Sequence, residues 1–392
     1  MRIFVSALEH SADLYLADLV RSLRLSRPDA DVFGLAGPEA TAAGCRSIHD
    51  MTGHAAMLNH AAARGPEAFM TISRLDRAFS YDPPDLAILL DSPTFHLPLA
   101  RRLKSRRIPI FYYIAPQVWA WARFRITKVR SRTDRVACIL PFEEEYFRTR
   151  GVDATFVGHP LLDRLRACPP DPAKLAQVRS IGQPLVALLP GSRRHVIDSM
   201  LADMLYCAKR IRKNQPSARF VIPAARPDLV PMIHEICRKA GMADVPVLLE
   251  HNAEILTAAD LVLVASGTAT LEVAWYNKPM VVCYKSSRVL YWLVAYWLIA
   301  IPHLSLVNIL AGEKLVPEFM PYYTNPEAIA QEAIELLAHE GRREKMKARL
   351  AEIIATLDRP GVAERVARMA LELADSRNPP SSRPVGTTSR LW

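Results

Sequence analysis

Eleven short apolar runs recur along this 392-residue chain, and helical periodicity fills most of the gaps between them. The first series is Arg2–Ser6, Val32–Leu35, Leu86–Leu90, Ile108–Tyr113, Val136–Leu140 and Thr155–Val157. The second is Leu185–Leu189, Arg219–Ile222, Val247–Leu249, Leu261–Val264 and Met280–Tyr284. Most are too short for helices and several are rich in valine and isoleucine, so they read as strands. Amphipathic stretches such as Asp13–Leu25 and Met200–Lys213 lie between them. A chain that alternates in this way folds as α/β layers, with parallel sheets covered by helices on both faces.

The alternation pauses once. Residues 161–184 hold Pro169, Pro170, Pro172 and Pro184 and no strong strand. A hinge there divides the chain into two doubly wound domains, 1–168 and 169–345, which the length accommodates at roughly 100–200 residues per domain. Helical patterns at Pro326–Ala338, Arg343–Leu357 and Ala363–Ala374 follow. The stretch 346–375 is a candidate to pack back on the N-terminal domain. The Pro/Ser-rich tail 376–392 reads as disordered. In doubly wound sheets, ligands bind beyond the carboxyl ends of the strands. Two such domains facing each other would form a cleft lined by the residues that follow each strand.

Charge is concentrated in one place. Eleven basic residues and one acid, Asp134, fall between Arg101 and Arg135, so this stretch carries a net charge equal to the +10 of the whole chain. A nucleic acid, a phosphate-bearing ligand, an anionic membrane or a plain solvated face each fits such a block. The N-terminus carries Glu9 and Asp13 within its apolar stretch and does not read as a signal peptide. The apolar core Val289–Ile301 is 13 residues, short of the roughly 18 to 20 needed to span a bilayer. It reads as a buried or membrane-surface helix. Six dispersed cysteines form no CxxC pair, and no acid pair or His/Cys cluster suggests a metal. No metal and no cofactor are therefore expected.

Several segments after strands carry chemistry. In Leu188–Arg193 a tight turn at Gly191 lets backbone approach a ligand, and Ser192 and Arg193 can donate to phosphate oxygens. The same turn is also a common structural device. In Val264–Glu272 a strand gives way to Ser266, Gly267 and Thr268 at a helix start, where free N–H groups suit a phosphate. Glu272 lies one turn on and can accept from ribose hydroxyls. The alternative is that Ser266 or Thr268 merely caps the helix. No GxGxxG or GxxxxGK[ST] fingerprint is present. Asp91 follows Leu86–Leu90 directly, where it can act as general base toward an attacking hydroxyl or cap the next helix. Glu9, His10, Ser11 and Asp13 follow the first strand, with Ser11 as the expected cap. Trp119 and Trp121, near Gln117, can cover a cleft or a lipid tail, or pack the core. His159 reads as a structural hydrogen bonder.

Taken together and in order, these motifs resemble the lipid-A-disaccharide synthases, glycosyltransferases of GT-B fold. The matching runs are Tyr113–Trp121 (YIAPQVWAW), Leu140–Glu143 (LPFE), Val157–Leu161 (VGHPL), Leu188–Arg193 (LLPGSR), Ala265–Glu272 (ASGTATLE), Pro279–Lys285 (PMVVCYK) and Ser305–Glu318 (SLVNILAGEKLVPE). The resemblance implies two Rossmann-like domains and a UDP-2,3-diacylglucosamine donor. The acceptor is 2,3-diacylglucosamine 1-phosphate, whose 6-hydroxyl displaces UDP with inversion. It implies Asp91 as base, Arg193 as a UDP contact, and Ser266–Thr268, Glu272, Asn308 and Glu318 on the nucleotide side. Glu9, His10, Ser11, Asp13, Gln117 and Trp119 become acceptor-side candidates. Expected partners are the two lipid substrates and an anionic membrane surface, not nucleic acid, with a second copy of the chain as a candidate. The expected location is cytoplasmic, held peripherally at the inner membrane. The usual GEASGD reads Leu8–Asp13 here, the MGLxE-like segment reads Met57–His60, and the DxPDFN motif carries Thr94 and His96. After GSR the usual glutamate is Val196. These changes, mostly on the acceptor side, leave two alternatives: a GT-B enzyme with another acceptor, or a degenerate nucleotide-sugar or lipid-binding protein.

Overall fold

The computed structural model describes residues 1–51, 65–121, 123–285, 302–321, 323 and 325–377. The segments Met57–His60 and Val289–Ile301 and the tail beyond Arg377 lie outside the described residues. The chain divides into two compact units, one of Met1–Pro160 plus everything from Arg359 onward, the other of Leu161–Asp358.

Unit 1 holds β1 (Arg2–Ser6), α1 (His10–Ser26), β2 (Asp31–Leu35), α2 (Pro38–Ala42), β3 (Arg46–His49), α3 (Gly65–Tyr81), β4 (Leu86–Leu90) and α4 (Pro93–Ser105). It continues with β5 (Ile110–Tyr113), α5 (Ile126–Arg132), β6 (Arg135–Cys138), α6 (Pro141–Arg148) and β7 (Ala154–Phe156). The seven strands are parallel in the order β3-β2-β1-β4-β5-β6-β7. Every residue of β4 is fully buried, as a central strand covered on both faces requires. Phe4, Phe33 and Phe79 meet edge to face beneath the sheet. In α1, Leu16, Leu19, Val20 and Leu23 are buried at helical spacing, each contributing about 1.5–3 kcal/mol.

Unit 2 runs from Leu161 to Asp358, so the helix Glu340–Leu357 stays with it and only the chain from Arg359 rejoins unit 1. Residues 161–184 hold two short helices, α7 (Pro160–Ala167) and α8 (Pro172–Arg179), the latter capped by the Asp171 carboxylate, which accepts from the N–H groups of Ala173 and Lys174. There follow β8 (Leu185–Leu189), α9 (Arg194–Asn214), β9 (Arg219–Ala224), α10 (Val230–Lys239), β10 (Val247–Leu249), α11 (Asn252–Ala258) and β11 (Leu261–Ala265). Then come α12 (Ala269–Trp275), β12 (Met280–Cys283), α13 (Leu306–Ala311), β13 (Glu318–Phe319), α14 (Glu327–Ala338) and α15 (Glu340–Leu357). Its six parallel strands run β10-β9-β8-β11-β12-β13.

The last described helix, α16 (Val362–Arg377), returns to unit 1 and packs on α1. Gly158, in the VGHPL run, makes room for it: a Cβ there would lie 2.8 Å from Arg359 Cβ and 2.9 Å from the Arg359 carbonyl oxygen. Ser376 and Arg377, placed in the tail by composition, complete this helix; Ser376 Oγ donates to the Leu373 carbonyl. The run Val136–Leu140 stops as a strand at Cys138, because Leu140 caps α6 ahead of Pro141. Two strands carried no apolar signal: β3, a half-exposed edge of sequence RSIH, and the two-residue β13. Among the described residues no helix is long and apolar enough to cross a membrane.

Candidate active site

Each sheet has one topological switch point, where neighbouring strands lead to helices on opposite sides. In unit 1 it lies between β1 and β4, paired through Ser6↔Leu89. Asp91 leaves β4 at this point in a left-handed turn, with φ of 51° at Asp91 and 44° at Ser92. Non-glycine residues rarely adopt that conformation. Three hydrogen bonds hold it. The Asp91 N–H donates to the Tyr113 carbonyl at 3.1 Å. The Asp91 carbonyl accepts from Tyr112 Oη at 2.5 Å and lies 2.7 Å from His96 Nδ1. His96 Nε2 lies 2.7 Å from Ser6 Oγ at the end of β1. His96 is fully buried, and desolvation pushes its pKa down to about 4.

The YIAPQVWAW and LPFE runs meet beside it. Trp119 Nε1 donates to Glu143 Oε1 at 2.8 Å, and Glu143 Oε2 accepts from the N–H groups of Leu140 and Ile139 at 3.2 and 3.3 Å. Glu143 is 1% exposed; burial pushes its carboxyl up to about 7, and the Asp91 charge adds to that rise. Trp119 is buried, Gln117 is exposed, and Trp121 lies under the Arg125 guanidinium at 4.6 Å.

The residues after β1 separate into two kinds. His10 and Ser11 are exposed at the start of α1, and Glu9 rather than Ser11 occupies its N-cap. Asp13 turns inward with no exposure; its carboxylate accepts from Gly37 N–H at 2.8 Å and Glu39 N–H at 2.9 Å, tying α1 to the start of α2. Both Asp13 carboxylate oxygens are thus engaged by backbone N–H groups within unit 1.

In unit 2 the switch point lies between β8 and β11, paired through Leu189↔Val264. The GSR turn and the ASGTATLE segment are thus neighbours. Gly191 has φ 102°, and a Cβ there would lie 3.2 Å from Val196 Cγ1. Ser192 and Arg193 are exposed at the start of the 21-residue α9, and Arg193 occupies its N-cap without a side-chain capping bond. Gly267 and Thr268 are exposed, and the Thr268 hydroxyl makes no cap bond to α12. Glu272 is largely buried, which raises its pKa, and it accepts from Asn252 Nδ2 at 2.5 Å.

Asn308 and Glu318 form a closed network. Glu318 accepts from Ser305 Oγ at 2.7 Å, Asn308 Nδ2 at 3.0 Å and the N–H groups of Ser305 and Leu304 at 3.1 and 3.3 Å. Asn308 Nδ2 also donates to the Val316 carbonyl, and Asn308 Oδ1 accepts the Val316 N–H, both at 2.9 Å. Asn308 is fully buried on α13, which packs on α12. The network thus fixes α13 against the helix that follows Ser266–Thr268.

The basic block is partly neutralised within unit 1. Lys104 pairs with Asp134 at 2.5 Å, Arg106 with Asp76 at 2.8 Å and Arg135 with Asp153 at 3.2 Å. Around Arg123–Arg125 the exposed Phe124 stands between two arginines. Sequence reasoning missed Ser6, His96, Tyr112, Glu143 and Asn252. Glu143 lay in the LPFE run and His96 in the DxPDFN-like segment, but neither was given a role there; Ser6, Tyr112 and Asn252 act through contacts distant in sequence.

A profile of the lipid-A-disaccharide synthetase family matches residues 3–372. The lipid-A-disaccharide synthase of Myxococcus xanthus is 38% identical over 380 residues, covering 95% of this chain and 97% of that one. That of Alkalilimnicola ehrlichii is 38% identical over 364 residues, covering 92% and 95%. Among solved structures, the S. aureus MnaA–UDP complex aligns with TM-score 0.64 at 13% identity, covering 95% of this chain and 97% of that one. WaaG, a glycosyltransferase involved in lipopolysaccharide biosynthesis, aligns with TM-score 0.55 at 12% identity, covering 94% and 99%. At such identities the structural likeness speaks for the GT-B fold alone.

Proposed function

The chain belongs to the lipid-A-disaccharide synthetase family, and on that premise we propose which of its residues carry the reaction. The enzyme forms the lipid A disaccharide: a diacylglucosamine unit passes from UDP to the 6-hydroxyl of 2,3-diacylglucosamine 1-phosphate. One displacement with inversion needs one base and a stabilised leaving group, with no covalent intermediate.

Asp91 is that base. The single observation carrying this reading is its placement at the unit 1 switch point, on a left-handed turn that three hydrogen bonds hold. Gly191, Ser192, Arg193 and Ser266–Thr268 receive the diphosphate, the exposed Arg193 offering a charge-assisted donor to the leaving group. Glu272, steadied by Asn252, accepts from the ribose. Asn308 and Glu318 support this surface from behind. Glu9, His10, Ser11 and Gln117 are the acceptor-side contacts.

Phe124 and the arginines beside it hold the enzyme at the inner face of an anionic membrane, each basic residue near the surface adding about 1 kcal/mol. Such an anchor would keep it beside its amphiphilic substrates.

Asp91→Asn tests the base. Turnover, read as the tetraacyl disaccharide 1-phosphate by mass spectrometry, should fall about 100- to 10,000-fold while UDP binding persists. Unchanged turnover removes Asp91 from the role.

A further inference from the structure

We propose that His96 is the positioning residue for Asp91: Ser6 holds its imidazole as the Nδ1–H tautomer, and that N–H clamps the Asp91 carbonyl and sets the direction of the Asp91 carboxylate. The proposal rests on Asp91 being the base, and deepens it.

The tautomer follows from hydrogen-bond chemistry. His96 Nδ1 lies 2.7 Å from the Asp91 carbonyl oxygen, which can only accept. Nδ1 must therefore carry the proton. Nε2 is left with a lone pair, and Ser6 Oγ, 2.7 Å away, must donate to it. The β1–β4 pairing at the switch point brings Ser6 to this place. Burial completes the arrangement. Ser6 and His96 are both fully buried, and the imidazole meets Phe95 and Tyr112 edge to face. Desolvation keeps His96 neutral through the physiological range, so its donor and acceptor assignment does not change with pH there.

The clamp has something to hold. Asp91 and Ser92 are consecutive left-handed residues, neither of them glycine. Such a turn persists only where surrounding bonds over-determine it. Tyr112 and His96 supply two donors to one carbonyl, from β5 and from the first turn of α4. Removing one releases the turn on the side that faces α4. The carboxylate then samples directions away from the attacking hydroxyl, and a displacement of about 1 Å costs about 100-fold in rate.

The test combines a spectroscopic and a kinetic arm on the full-length chain. In protein labelled with 15N-histidine, His96 should show a protonated Nδ1 and a bare Nε2, unchanged from pH 6 to 8. An Nε2–H form, or titration in that range, overturns the proposal. In the kinetic arm His96→Leu should lower kcat about 100-fold with the KM for UDP-sugar unchanged. His96→Asn, whose amide N–H can take the place of Nδ1–H, should recover at least tenfold of that loss. Wild-type kcat in a folded His96→Leu protein, or His96→Asn no better than His96→Leu, overturns the clamp. If His96→Leu does not fold, Ser6→Ala takes its place: it should leave the fold intact, shift the Nε2 resonance by removing its donor, loosen the ring on the Asp91 carbonyl and lower kcat, and an unaltered spectrum and rate overturn the proposal. Asp91→Asn separates the two layers. Full turnover in that variant removes the base reading, whereas the 15N arm reports on the clamp whatever Asp91 does.

Discussion

Glu143 offers a stability prediction whose sign and size follow from its surroundings. Its carboxylate is 1% exposed and accepts three hydrogen bonds, from Trp119, Leu140 and Ile139. Those bonds favour the charged form, yet burial outweighs them and carries the pKa from 4.5 to about 7. At about 1.4 kcal/mol per pH unit, that gap is worth about 3 kcal/mol. Between these two values the folded protein keeps a proton that the unfolded chain has released. This contribution to stability is thus complete below pH 4.5 and disappears as pH rises through 7.

Glu143→Gln cannot ionise. Its amide oxygen can keep the Trp119 bond, but its NH2 then faces the N–H groups of Leu140 and Ile139, a donor against two donors. At pH 5 the variant should be less stable than wild type by about 1–3 kcal/mol. By pH 8 the wild type has lost its advantage, and the difference should shrink to zero or change sign. Urea unfolding at pH 5, 6, 7 and 8, resolved by hydrogen exchange in unit 1 peptides, reads this directly, because all other titrating groups cancel in the difference. Two curves that stay parallel across this range would refute the reasoning.

Three other perturbations follow. Asp13→Ala strands the N–H groups of Gly37 and Glu39; stability should fall by about 2–4 kcal/mol, and an unchanged melting temperature would contradict the inward role. Gly191→Ala puts a Cβ 3.2 Å from Val196 Cγ1 at a φ of 102°, so UDP affinity by calorimetry should drop about tenfold with the fold intact, as expected for about 1.4 kcal/mol of strain in a ligand-facing turn. Affinity within twofold of wild type counts against the GSR turn as a diphosphate contact. Reversing Arg123 and Arg125 to glutamate should abolish salt-sensitive binding to anionic vesicles; equal co-sedimentation of variant and wild type rules out this membrane surface.

The fold was legible because buried parallel strands write themselves as uninterrupted apolar runs. Leu86–Leu90 and Leu185–Leu189 are entirely buried and entirely apolar. The edges were not legible: β3 is half exposed, and β13 is too short to carry periodicity. At the site, sequence could name Asp91 because it directly follows a clear strand, and Gly191 because a turn requires it. Its silence about Ser6 and Tyr112, and about any role for His96, has a physical cause. Ser6 and Tyr112 lie 85 and 21 residues from Asp91; strand order sets Tyr112 on the Asp91 carbonyl and Ser6 on the far nitrogen of His96. Asp13 shows the converse. An acid at a strand's carboxyl end reads from sequence as ligand-directed, and its partners at the start of α2, the N–H groups of Gly37 and Glu39, are 24 and 26 residues away.

The two switch points differ in construction, and the chemistry each is assigned explains why. Around the unit 2 switch point the groups at hand are exposed: Ser192, Arg193, Gly267 and Thr268. A diphosphate presents many equivalent oxygens and tolerates donors that adjust to it, so solvent-facing side chains and free backbone suffice. Around Asp91 the neighbours are buried and already bonded to one another: Ser6 to His96, His96 and Tyr112 to the Asp91 carbonyl, Trp119 to Glu143. A base must meet one hydroxyl at hydrogen-bond distance, and its rate contribution falls steeply with misplacement. Fixed geometry there is worth the desolvation of several polar groups. On this argument substitutions at unit 2's switch point should act mainly on donor affinity, whereas those beneath Asp91 should act on kcat.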